Sequence, residues 1–183
     1  MGLKDWFTRS DRSPASGWRE RWEKAAQTRD GAAAASLREA LANDASLGSD
    51  LEIEYEMADG LDRLIVLAAE LEAGRVPHLE TSHRVVGPDG CHFSAPASLP
   101  DDQSQASGRV LLTSTRAVFV GGARLASMSW HTVRDAARVQ RDLLLIRSAD
   151  NALRLRFNTY GDAMEAAALA SHLKQRSRDQ RIL

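Results

Sequence analysis

The chain has 183 residues, 43% hydrophobic and 27% charged, with a net charge of −1, values typical of a globular protein with enough material for one ordinary domain or two small ones. Its longest unbroken apolar run, residues 64–69, is far short of the roughly 20 residues a membrane-crossing helix needs. The single cysteine, Cys91, excludes an intramolecular disulfide and a four-cysteine zinc site.

Residues 1–7 contain no apolar core of the length a secretory leader requires, and Trp6 stands where the myristoylation pattern demands Ser or Thr. A cytoplasmic protein is the expectation. The small net charge conceals a segregation: residues 1–38 carry +3, residues 39–80 carry −9 and residues 81–183 carry +5. Either two halves dock electrostatically, which is the plainer expectation, or a basic face serves an external anion.

In chain order, residues 8–17 are polar and turn-rich, and residues 1–15 are expected to be a flexible lead-in. A helical region over 16–77 follows. Trp18, Trp22 and Ala25 or Ala26 recur at helical spacing from about Ser16, and Gly31 interrupts the pattern. An alanine-rich helix over 32–43 places Leu37 and Leu41 on one stripe. Residues 51–57 alternate like a strand, but Leu61, Leu64, Ile65, Ala68 and Leu71 continue at helical spacing, with Gly74 and Pro77 as a stop. One long helix over 49–73, bent at Gly60, is the expectation.

From His78 the texture changes to short apolar or alternating runs between Gly, Pro, Asp and Ser clusters. Strands are expected at 83–86, 91–95, 109–114, 117–120, 125–130, 133–139, 143–147 and 153–157, in an antiparallel sheet with a tight turn at Gly121-Gly122. In the last run Leu153, Leu155 and Phe157 face one way and Arg154 and Arg156 the other. A helix over 162–175 follows, with Ala166, Leu169, Ala170 and Leu173 on one face, and residues 177–183 form a basic tail.

The stretch Gly108-Arg-Val-Leu-Leu-Thr-Ser-Thr-Arg116, then Val118-Phe-Val-Gly121, then Ser129-Trp-His-Thr-Val133, resembles the core of bacterial pleckstrin-homology-like domains, including GRAM-type modules. The resemblance spans about residues 78–176 and does not reach the helical N-terminal part. It implies an α+β protein in which N-terminal helices pack on a strongly bent, seven-stranded antiparallel barrel closed by a C-terminal helix. It also implies a function in binding phosphoinositides, peptides or other domains. Lipid-binding members usually use basic residues around the first strand-to-strand loop. Here that loop, residues 99–107, holds two aspartates and neither Lys nor Arg, which departs from lipid recognition.

Nine arginines and no lysine populate residues 109–156. Arginine suits a bidentate grip on carboxylate or phosphate, which makes Arg116, Arg124, Arg134, Arg138, Arg154 and Arg156 candidate contacts for an anion or partner. The same residues also suit the wet face of a sheet, or docking onto the acidic helix of residues 49–73. Nucleic acid is not expected, because the chain is not basic overall. His83, Cys91, His92 and His131 have no metal-ligand spacing, and adjacent Cys91 and His92 on a strand point to opposite faces. No cofactor or metal is expected. Trp6 and Phe7 could touch a membrane surface, but a seven-residue segment cannot hold a protein there.

These features predict a non-enzymatic adaptor that binds a protein partner. The alternatives are peripheral attachment to anionic lipid through the arginines and, more remotely, a small hydrolase using Cys91 with His92 or His131. Nothing in the sequence names the partner or the oligomeric state.

Overall fold

A computed structural model describes residues 15–47, 50–81 and 83–180. The flexible lead-in, the Trp6-Phe7 pair and the end of the basic tail lie outside the described residues. Four helices and one seven-stranded antiparallel sheet make an α+β structure.

Three helices come first: α1 (Ser16–Thr28), α2 (Gly31–Asn43) and α3 (Glu52–Glu72). Asp30 caps α2 by accepting a hydrogen bond from the Ala33 N–H at 3.0 Å. α3 runs unbroken through Gly60, so the strand-like alternation of residues 51–57 is absorbed into the helix. Gly60 is a crossing point where α4 (Tyr160–Asp179) comes so close that a Cβ would lie 2.9 Å from the Gly161 Cα. Trp18, Trp22, Leu37, Leu41, Leu61 and Leu64 form the core between these helices. Both indoles are satisfied there, Trp18 Nε1 donating to the Leu37 carbonyl (2.9 Å) and Trp22 Nε1 to that of Met57 (2.7 Å).

The strands are β1 (Cys91–Ser98), β2 (Ser107–Thr113), β3 (Arg116–Gly121), β4 (Arg124–Ser129), β5 (Asp135–Val139), β6 (Asp142–Ser148) and β7 (Asn151–Phe157), in the spatial order β4-β3-β2-β1-β7-β6-β5. The expected closed barrel is not formed: β4 and β5 are both edges. The β1–β7 seam is short, with only Ala97↔Phe157 and Ser98↔Arg156 paired. α4 packs across the open side against β5 and against the 3-10 turn Trp130–Thr132 that joins β4 to β5.

α4 is capped by Thr159, whose hydroxyl accepts from the Asp162 N–H at 3.1 Å, and Asp162 lies in its first turn. It extends to Asp179, beyond the expected end, because Lys174 reaches Asp135 (3.3 Å) and Arg178 donates to the Arg134 carbonyl (3.0 Å). The helix is buried on two sides. Ala163, Ala166, Leu169, Ala170 and Leu173 join the sheet core with Phe93, Val110, Leu112, Phe119, Trp130 and Leu155, while Met164 joins the helical core.

The strand expected at 83–86 is a run of turns. Val86 N–H donates to the His83 carbonyl and Asp89 N–H to that of Val86, and Gly87 holds φ 59°, so the ladder cannot continue through it. The backbone contact with the sheet lies earlier, at Leu79, whose N–H donates to the Cys91 carbonyl at 2.7 Å.

Candidate functional site

The six candidate arginines are dispersed, and most grip a group of the chain itself. Arg138, on β5, holds Glu23 of α1 at 2.7 and 2.9 Å and lies 5.1 Å over the Trp22 ring. Arg154 and Arg156, alternate residues of β7, place their Nε atoms 2.6 and 2.8 Å from the two oxygens of Asp142 on β6. Burial opposes the charged form of Asp142, but the two guanidinium groups outweigh it and hold its carboxyl below the usual range. Arg124 pairs with Asp102 at 3.0 Å. Arg116 donates to the Val85 carbonyl at 3.0 Å. The Arg134 side chain is exposed, and its carbonyl accepts from Arg178.

The acidic helix therefore meets the sheet arginines chiefly at one residue. Glu56 of α3 accepts from Arg141 Nη2 at 2.7 Å and from the Tyr160 N–H at 2.6 Å, and Arg141 also lies 4.8 Å over the Tyr160 ring. Three other acids of α3, Glu54, Asp59 and Asp62, serve the N-terminal layer. Arg19 takes Glu54 at 2.7 Å, and Arg38 takes Asp59 at 2.6 Å and Asp62 at 3.1 Å. Electrostatic docking of the N-terminal helices to the sheet layer thus rests on Glu23–Arg138 and Glu56–Arg141, not on the whole acidic run. A cleft of about 670 Å³ opens beside the seam, lined by Ser98, Arg141, Asp142, Arg156 and Tyr160 among others. Arg141 and Arg156 there already hold carboxylates of the chain.

Cys91 and His92 point to opposite faces, as the alternation of a strand requires. The Cys91 thiol is buried with Val86 and Leu111 and donates to the Phe93 carbonyl at 3.4 Å; burial pushes its pKa up, away from the reactive thiolate. His92 lies between the Pro77 carbonyl (2.7 Å) and the Ser114 hydroxyl (2.9 Å), and His131 lies 2.6 Å from the Ser129 hydroxyl. Among the described residues no group of three His, Cys, Asp or Glu side chains could hold a metal.

One surface the sequence did not single out is the outer face of β3 and β4. The turn segment 83–90 lies over the outer face of β2 and β3, burying Val86 on Leu111. It is tied down by Arg116 on the Val85 carbonyl, by the Thr115 hydroxyl on Asp89 (2.7 Å) and by the Ser114 N–H on the Gly90 carbonyl (2.9 Å). The cover stops short of β4. Between them runs a groove of about 260 Å³ lined by Arg84, Val85, Arg116, Val118, Leu125 and Ser127.

Among the described residues β4 is paired only with β3. The two-residue loop Gly122–Ala123 makes Gly121↔Arg124 the closing pair, so Arg124, Ala126 and Met128 bond to β3, while the backbone groups of Leu125 and Ser127 point outward. Ala126 and Met128 pack on the sheet core, and Leu125 is 65% exposed on the outer face. Arg124, at the start of β4, is its one charged residue. Pro, an added lysine and an inward charge, the usual devices that blunt an edge, are all missing from it. The alternation of 125–129 is legible in the sequence; that β4 ends the sheet is a property of topology.

No family model matches the chain, and no curated protein does. Among solved structures it is similar to the C-terminal domain of an unknown protein from Leishmania infantum, with 12% identity and a TM-score of 0.43 over 49% of this chain and 89% of that one.

Proposed function

We propose that the chain is a non-catalytic binding module, built on a pleckstrin-homology-like sheet, that engages a partner protein. The observation that carries this is the unpaired, nearly uncharged edge of β4 beside a groove with an apolar floor. Such an edge presents unpaired N–H and C=O groups that another chain can complete. The pleckstrin-homology-like assignment is supported by the seven-stranded antiparallel sheet, two meanders joined at β1 and β7, and by the following helix packed on it. A hydrolase role for Cys91 would need a nearby base and an accessible thiol, whereas Cys91 is buried among Val86 and Leu111.

Attachment to an anionic membrane would need arginines that are free and face one way. Arg124, Arg138, Arg154 and Arg156 instead hold carboxylates of the chain, and they do so on different elements. The test is selection of peptides from a random display library on the purified protein, with flotation on anionic vesicles at low and high salt as its counterpart. Enriched peptides that bind in solution, without salt-sensitive flotation, are the expected result. Flotation on anionic vesicles with no peptide enriched would overturn the reading in favour of the membrane.

A further inference from the structure

We infer that the β4 edge takes an extended, acidic–apolar segment of a partner protein, added as an eighth strand with its acidic side chains beside Arg84 and Arg116. This rests on the binding-module reading and names the partner's chemistry. The outward groups of Leu125 and Ser127 supply the backbone hydrogen bonds for a short added strand, since alternate residues of an edge strand carry free donors and acceptors. Side chains on the outer face of that strand would continue the row Leu111, Val118, Ser127, three residues that sit opposite one another across β2, β3 and β4. They would stand beside Leu125 and Ser127, from where long side chains reach toward the groove between β4 and the 83–90 cover.

Charge complementarity selects the occupant. Arg84 is exposed and makes no hydrogen bond or ion pair among the described residues. The Arg116 guanidinium is fixed by Val85, yet its buried Nε has no hydrogen-bond partner and stands 4.0 Å from Asp89. Asp89 is the neighbouring carboxylate, and it is engaged by the Thr115 hydroxyl. The groove thus carries two cations against one acid, over the apolar surface of Val85, Val118 and Leu125. A basic segment would face two guanidinium groups, and an acidic one would be drawn to them.

The test is fluorescence anisotropy of the full chain with a labelled, capped decapeptide alternating valine and glutamate. Comparators are the valine–lysine decapeptide and the valine–glutamate peptide N-methylated at alternate residues. The acidic peptide is expected to bind, the basic one not, and N-methylation is expected to abolish binding by removing the strand's donors. Arg84→Glu should weaken binding by roughly fivefold, as for a partly exposed ion pair. Leu125→Asp, at an exposed site that leaves the fold intact, should weaken it by roughly tenfold or more. Equal binding of acidic and basic peptides, or indifference to N-methylation, overturns the inference. So does failure of every decapeptide when the random library still yields binders insensitive to Leu125→Asp. In that last case the module reading stands and the site lies elsewhere. If the library is empty too, both fall.

Discussion

Replacing Gly60 with alanine should destabilise the protein although it improves the helix in which it sits. In an exposed helix the change contributes about 1 kcal/mol of stability through propensity. Here the new methyl carbon would stand 2.9 Å from both Cα and N of Gly161 and 3.3 Å from the Met164 sulfur. Two of those three neighbours are backbone atoms of α4, which cannot swing aside. α4 is itself wedged between the sheet core and the helical core. Overpacking of this kind costs about 1–3 kcal/mol, and a backbone obstacle argues for the upper part of that range. The net expectation is a loss of about 1–2 kcal/mol, or roughly 2–8 °C in Tm for a chain of this size.

Gly161→Ala is the internal control, because the nearest obstacle to its methyl is the Arg63 guanidinium at 2.8 Å. That group is half exposed and can move, at the expense of its contacts with Asp162 and Glu165, so the loss should stay below about 1 kcal/mol. Urea unfolding of wild type and both variants decides the matter. A Gly60→Ala protein as stable as wild type, or more stable than Gly161→Ala, would refute a backbone-limited crossing of α3 and α4.

Glu56→Ala removes an acceptor from both the Arg141 guanidinium and the first N–H of α4, so a loss of about 2 kcal/mol is expected by chemical denaturation. Alanine at the neighbouring exposed Glu52 should change stability by less than about 0.5 kcal/mol; equal effects would count against Glu56 as the tie between layers. Asp142→Asn should cost about 2 kcal/mol at pH 7, discounted for the partial exposure of Arg154 and Arg156. The folded carboxyl titrates below its unfolded value, so its contribution is full above about pH 4 and fades as pH falls through the folded pKa. The gap between wild type and Asp142→Asn should therefore close in acid, and a gap independent of pH would contradict the pairing. Cys91 should resist a thiol reagent in the native protein at pH 8 and react fully in denaturant; stoichiometric native labelling would contradict its burial beneath Val86.

The elements were legible where period and punctuation agreed. Trp18, Trp22 and Ala25 marked α1, and Leu153, Leu155 and Phe157 marked the inner face of β7, because each set repeats at the spacing of its own structure. Residues 83–86 read as a strand for their valines, yet Val85 and Val86 are apolar because they cover Leu111 from a turn. Burial of a strap and burial of a strand leave the same mark on a sequence. Gly60 looked like a bend because a glycine inside a helix usually signals weakness; its partner is 101 residues away, and no local pattern reports such an approach. The arginines were legible as a population, but their fates were not. Arg138 meets Glu23 across 115 positions and Arg141 meets Glu56 across 85, so which cations are spent inside the fold is decided by topology.

The β1–β7 seam, with its two paired residues, splits the sheet into two ribbons of different origin, β1 to β4 and β5 to β7. Within each ribbon every strand pairs with its immediate neighbour in sequence, so each can form early and separately from short-range contacts. Little backbone hydrogen bonding then holds one ribbon to the other. That task falls to α4, which packs on both, on the turn between them and on the helices laid down at the start of the chain. The last helix is thus the clasp of the whole fold. A nascent chain can build both ribbons and the tryptophan cluster, but none of them is sealed until Leu173 and the turns around it have arrived.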